Sequence, residues 1–105
     1  MKRIILLAFL CTTTLVMAQR INHVQEAIAN YDYEAALTLI AKEKPTIPLL
    51  LQKGKAQRGL GMNTEALSTY QEIITNDTAN TRAYIEAAEC CRSLAKYQQA
   101  LKYYE

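Results

Sequence analysis

The chain is poor in the residues from which most catalytic sites are built. It holds one histidine, three cysteines and three glycines among 105 residues. The histidine, His23, has no acid–base partner at readable spacing, which argues against a histidine relay. Cys90 and Cys91 are adjacent and have no second cluster, so a zinc site fails on ligand number. Gly54, Gly59 and Gly61 lie close together, yet no strand leads into them and no Lys-Ser/Thr pair follows, which excludes a phosphate loop. No catalytic constellation and no cofactor motif remains, and the expectation is a protein that is not an enzyme. Charge of one sign is scarce as well: the formal net charge is only +2.

That small excess belongs to the first residues. Lys2 and Arg3 form a basic start, Ile4 to Leu10 an apolar run, and Val16-Met17-Ala18 a small-residue exit before Gln19. Residues 1–18 therefore read as a secretory signal peptide cleaved after Ala18. The alternative, a membrane anchor, is interrupted by Thr12, Thr13 and Thr14 and is shorter than the roughly 20 apolar residues a span needs. Cys11 invites a lipoprotein reading, but Phe9 and Leu10 before it are large where a bacterial lipobox needs small residues. Cleavage lowers the 12 basic residues to ten, equal to the ten acidic ones. Nucleic-acid binding then has no electrostatic motive, and no basic arm remains to hold an anionic membrane. An exported protein, in the periplasm or associated with an outer membrane, is expected.

What the chain does have is periodicity. Leu50 recurs as Tyr84, Gly54 as Ala88, Ala66 as Ala100, Leu67 as Leu101 and Tyr70 as Tyr104, each pair 34 residues apart. A fixed period in this range signals a helical repeat array. In the clearest unit, Tyr84, Ala87, Ala88 and Cys91 form one apolar stripe at helical spacing, and Tyr97, Ala100, Leu101 and Tyr104 a second. Ser93 to Lys96 is a polar connection suited to a tight turn. Ala88 and Ala100 let two backbones approach, with Tyr84 and Tyr104 expected to fill the space around them. Cys90 and Cys91 point about 100° apart on such a helix, so they read as two small buried residues and not as a mutual disulfide. Redox sensing or intermolecular pairing is the alternative for them.

The preceding unit follows the same plan. A helix from about Ile47 to Gly59 is predicted, capped by Thr46, with Pro48 in its first turn and Leu50, Gly54 and Gln57 on the packing side. Gly61 is expected to take the left-handed conformation that ends it. Asn63 is expected to cap a second helix from Thr64 to about Thr75 that buries Ala66, Leu67, Tyr70 and Ile74. Residues 76–80 form the link, and Asn80 or Thr81 caps the next helix. An earlier, weaker copy comprises a helix from Arg20 to Asn30, apolar at Ile21, Val24, Ala27 and Ile28, followed by Asp32 to Ile40. Its Ala36 stands 30 residues before Ala66, so about four residues are missing, most simply from the link at Lys44-Pro45. The Asn76-Asp77-Thr78-Ala79 stretch fits glycosylation patterns at Asn76 and Thr78, and equally fits loop residues that cap the following helix.

These positions resemble the tetratricopeptide repeat (TPR) family. Leu50, Gly54, Gly61, Ala66 and Tyr70 match its pattern in one unit, and Tyr84, Ala88, Tyr97, Ala100 and Tyr104 in the next. Gln57 and Cys91 depart from it where an aromatic is usual, and Thr78 where a closing proline is usual. The resemblance implies an all-α fold of antiparallel helix-turn-helix repeats stacked as a right-handed α-solenoid. Its units are a degenerate hairpin at 19–46, a repeat at 47–80 and an incomplete repeat at 81–105. The last unit stops within a helix at Tyr103-Tyr104-Glu105, so a longer protein is expected, or self-association through an uncovered face.

The resemblance also implies a concave groove lined by the first helix of each unit. Its groove positions here are Leu51, Gln52, Lys55 and Arg58, then Arg82, Ile85, Glu86, Glu89 and Arg92. They read as a surface for protein or peptide partners or, alternatively, as a solvated face that keeps the array soluble. TPR proteins that clamp a C-terminal carboxylate use Lys, Asn and Arg where this chain has Ile21, Gln25, Gln52, Arg82 and Glu86. Only Arg82 suits that role. The leading expectation is a non-catalytic protein-interaction scaffold. Its alternatives are a docking arm of a longer membrane signalling protein and a component of an outer-membrane nutrient-uptake complex, the latter weakened by the poor lipobox.

Overall fold

The structure, a computed structural model, describes residues 19–105. The expected leader, its cleavage site and Cys11 lie outside the described residues. Within them the chain is all-helical, with six helices and no strand. They are α1 (19–29), α2 (Tyr33–Ala41), α3 (Ile47–Gly59), α4 (Asn63–Asn76), α5 (Thr81–Ser93) and α6 (Tyr97–Tyr104). From α2 onward, each helix packs on the next in chain order.

Local chemistry sets these boundaries. The Thr46 hydroxyl accepts from Leu49 N at 3.4 Å, and Pro48 sits in the first turn of α3, where its missing N–H costs nothing. Asn80 caps α5 by accepting from Ala83 N at 3.1 Å. The Asp77 carboxylate accepts from Ala79 N and from the Asn80 amide, both at 3.3 Å, so it shapes the link that precedes this cap.

The three turns within the hairpins share one backbone geometry. Tyr31, Gly61 and Ala95 occupy the left-handed region, at φ 61°, 75° and 60°. The residue after each donates its N–H five residues back: Asp32 to Ala27, Met62 to Gln57 and Lys96 to Cys91, at 2.8, 2.8 and 2.7 Å. These paired bonds satisfy carbonyls that a helix end would otherwise leave bare. The same bond revises one sequence expectation. Met62, held by Gln57, is the residue that flanks α4 and accepts from Ala66 N at 2.9 Å, so Asn63 falls inside the helix and caps nothing.

Two cores meet on α3. Leu49 and Ala56 face Val24, Ile28, Ala36 and Ile40 from α1 and α2. Leu50 faces Ala66, Leu67, Tyr70 and Ile73 of α4, which continue into the alanine and cysteine face of α5 and Ala100 of α6. Close approach between α3 and α4 depends on Gly54, because a Cβ there would lie 2.5 Å from Tyr70 Cζ. Gly59 plays the same part for α2: a Cβ there would collide with the Tyr33 ring. Gly59 thus has a packing role that spacing did not reveal. Gln57, standing where an aromatic is usual, is buried, and its Oε1 accepts from the buried Thr69 hydroxyl at 2.7 Å.

Several expectations need correction. Ile73, not Ile74, is the fully buried residue in the last turns of α4, while Ile74 is half-buried against the same core. The residues missing from the first hairpin come out of its helix, not its link. α2 has 9 residues against 14 in α4, while the link at 42–46 is no shorter than the one at 77–80. Pro45 explains this, since it drives Lys44 out of the helical region and forces an early end. In α6 only Ala100 of the expected stripe is buried, and Tyr97, Leu101 and Tyr104 are exposed. Ala88 already carries a methyl where Gly54 leaves room for Tyr70, and the Tyr104 ring turns outward to donate its hydroxyl to Glu89. Cys90 and Cys91 are buried free thiols, and burial pushes the Cys90 thiol up to about 11.

Candidate partner-binding face

Of the positions that the resemblance implies for a groove, Gln52, Lys55 and Arg58 lie on α3 and Arg82, Glu86, Glu89 and Arg92 on α5. Their charges are not equivalent. Arg58, half-buried, pairs with the Glu86 carboxylate across the α3–α5 gap. Burial opposes its charge, but Glu86 outweighs that and holds the Arg58 guanidinium above its ordinary value. The neighbouring Tyr70 phenol is pushed upward, chiefly by burial and then by the Glu86 charge. One turn further along α5, Arg92 donates to both Glu89 oxygens at 3.1 and 3.2 Å. Glu89 also accepts from Tyr104, and that hydrogen bond, aided by the Arg92 charge against a smaller opposing effect of desolvation, holds its carboxyl below the usual range. Four of the seven candidates therefore spend their charge on one another: Arg58–Glu86 ties α3 to α5, Arg92–Glu89 lies within α5, and the Tyr104 hydroxyl on Glu89 ties α5 to α6.

The other three behave differently. Gln52, Lys55 and Arg82 line an open cleft of about 440 Å³ together with Gln25, Tyr31 and Tyr33. Among the described residues, neither Lys55 nor Arg82 forms an ion pair, and neither Gln25 nor Gln52 uses its side-chain amide within the chain. Among the described residues, no acidic side chain lines the cleft. Tyr31 stands at its rim, 80% exposed, with its ring edge-on to Tyr33 at 6.3 Å between centroids and 78° between planes.

The two tyrosines are the part of this face that the resemblance does not point to. Tyr31 lies in a turn and Tyr33 opens α2, whereas the resemblance places groove residues on first helices. A signal was present: Tyr31 occupies the turn position that Gly61 fills in the next hairpin, where a bulky residue is disfavoured. Leu51 is half-buried against the core and Ile85 is exposed.

No three His, Cys, Asp or Glu side chains converge on a metal-sized site among the described residues. Nor is any described helix long and apolar enough to cross a membrane. Comparison with family models, curated proteins and solved structures returns no match.

Proposed function

We propose that the chain is a non-catalytic scaffold of an exported bacterial protein, built as a right-handed TPR-like α-solenoid that binds partner polypeptides along the face of α1, α3 and α5. The solenoid reading is supported by the recurring turn geometry at Tyr31, Gly61 and Ala95 and by α3 serving two cores at once. Sharing a helix between neighbouring units is how a stack of hairpins buries a continuous interior. Export to the periplasm rests on the leader pattern of residues 1–18.

The observation that carries the binding reading is the cleft at Lys55 and Arg82. A solvated face that served only solubility would pair or scatter its charges. Here Arg58–Glu86 and Arg92–Glu89 are paired, while among the described residues the cleft keeps two cations and two amides unengaged beside an exposed tyrosine. Polar groups gathered in a concavity with an aromatic wall are a binding arrangement.

A photo-crosslinking residue in place of Gln52 tests the reading. Adducts with one or a few partner proteins in exported extract are expected, lost when the crosslinker is moved to Thr75 on the exposed side of α4. Equal, unselective labelling from both positions would sink it.

A further inference from the structure

We propose that the Lys55–Arg82 cleft takes an extended segment of a partner protein that carries carboxylate side chains spaced by apolar residues. This rests on the scaffold reading and names the partner by its chemistry. Charge is the first argument. Lys55 on α3 and Arg82 on α5 are exposed, share one cleft and have no carboxylate in its lining. Two like charges facing one concavity raise its potential, and an anion entering it meets two attractions with no resident competitor. Arg58 and Arg92 offer no such site, because Glu86 and Glu89 already neutralise them.

Hydrogen bonding narrows the ligand to a polypeptide. Gln25 and Gln52 each present a donor and an acceptor to the same cleft. A free anion uses only donors. A peptide main chain running past α1 and α3 uses both kinds of group.

Tyr31 supplies the apolar part. Its ring is exposed and braced edge-on by Tyr33, whose own ring is seated over Gly59. The result is a fixed flat wall beside the cations, suited to a side chain next to the carboxylate. The cations also stand on separate helices, with Glu86 nearby and engaged by Arg58. That spread fits carboxylates distributed along a chain. A single chain terminus would need several donors converging on one pair of oxygens.

Fluorescence anisotropy with a labelled, C-terminally amidated peptide alternating Glu and Leu tests this directly. Binding is expected, weakening as salt rises, with the Gln-for-Glu peptide at least about tenfold weaker. Lys55→Gln with Arg82→Gln should also weaken it at least about tenfold, while Lys102→Gln, on exposed α6, leaves it unchanged. Tyr31→Gly should weaken it severalfold without loss of helical content. The proposal is overturned if the Gln peptide binds as well, if a neutral peptide with a free C-terminus binds better than the amidated acidic one, or if the double variant retains full affinity. Partner adducts from Gln52 that persist in the double variant would overturn this proposal while leaving the scaffold reading intact. Loss of all adducts in the unmodified chain removes both.

Discussion

Gly54→Ala sets two physical effects against each other, and the structure decides between them. Helix propensity alone favours the substitution: alanine in a helix interior is worth about 1 kcal/mol over glycine. Packing opposes it. The new methyl would lie 2.5 Å from Tyr70 Cζ and 2.8 Å from both Cε1 and Oη. Tyr70 is only 1% exposed and cannot give way by a few tenths of an ångström inside the α3–α4–α5 core. Holding the ring in place is overpacking, at about 1–3 kcal/mol. Turning it outward, as Tyr104 is turned beside Ala88, forfeits aromatic burial worth about 4 kcal/mol or more as an upper estimate. The cheaper route, overpacking, sets the cost, and net of the propensity gain the expected loss is about 1 kcal/mol, which lowers Tm by roughly 4–8 °C for a domain of this size. Urea unfolding followed by circular dichroism measures it, and Gly54→Ala with Tyr70→Leu should recover part of the loss by making room for the methyl. A Gly54→Ala chain equal to or more stable than the unmodified one would refute the close-approach argument.

The repeated left-handed turn predicts the opposite sign elsewhere. Ala95→Gly should raise stability by up to about 1 kcal/mol, because the backbone is left-handed there and glycine alone adopts it freely; a lower Tm would contradict that geometry. Thr69→Val leaves the buried Gln57 amide oxygen without its partner and should cost about 1–3 kcal/mol, whereas in Gln57→Leu the Thr69 hydroxyl keeps the Glu65 carbonyl at 3.1 Å and the cost should be smaller. The double substitution should cost less than the sum, and strict additivity in a double-mutant cycle would show that the bond contributes nothing. Alkaline pH is a further probe. Burial raises the Cys90 thiol from 9.0 to about 11 and also raises the Tyr70 phenol, so the unfolded state loses these protons first. Their stabilisation is present below pH 9 and fades as pH climbs toward 11. Urea midpoints across that window should fall, less steeply in Cys90→Ala; a flat profile would remove the argument.

Periodicity carried most of the architecture because it encodes which side chains face a neighbouring helix. Ala66, Tyr70, Ala88 and Ala100 are buried as their place in the 34-residue pattern predicts, and Ala87 as its place in the α5 stripe predicts. Local chemistry carried the caps at Thr46 and Asn80 and the turn at Gly61, since each depends on residues within a turn or two. Where spacing failed, a third residue intervened. Tyr104 occupies the position of Tyr70, yet its environment is set by whether Gly54 or Ala88 stands opposite, and identity at one repeat position does not report identity at another. Asn63 had the right chemistry for a cap but lost the position to Met62 through a bond to Gln57 on the preceding helix.

The candidate face shows the same division more sharply. The resemblance implies a shared surface for Lys55, Arg58, Arg82 and Arg92, and of these Lys55 and Arg82 line one cleft. Whether each cation is available to a partner depends on a carboxylate elsewhere, on the adjoining helix for Arg58 and three residues back for Arg92. A change at Glu86 therefore reaches the groove through Arg58: with Glu86→Gln the half-buried guanidinium loses its counter-charge and becomes a third cation toward an acidic ligand. Acidic-peptide affinity should then rise even as stability falls, because the pair that ties α3 to α5 is gone. A purely structural role for this pair predicts the stability loss without the gain in affinity, so measuring both on one variant separates the two.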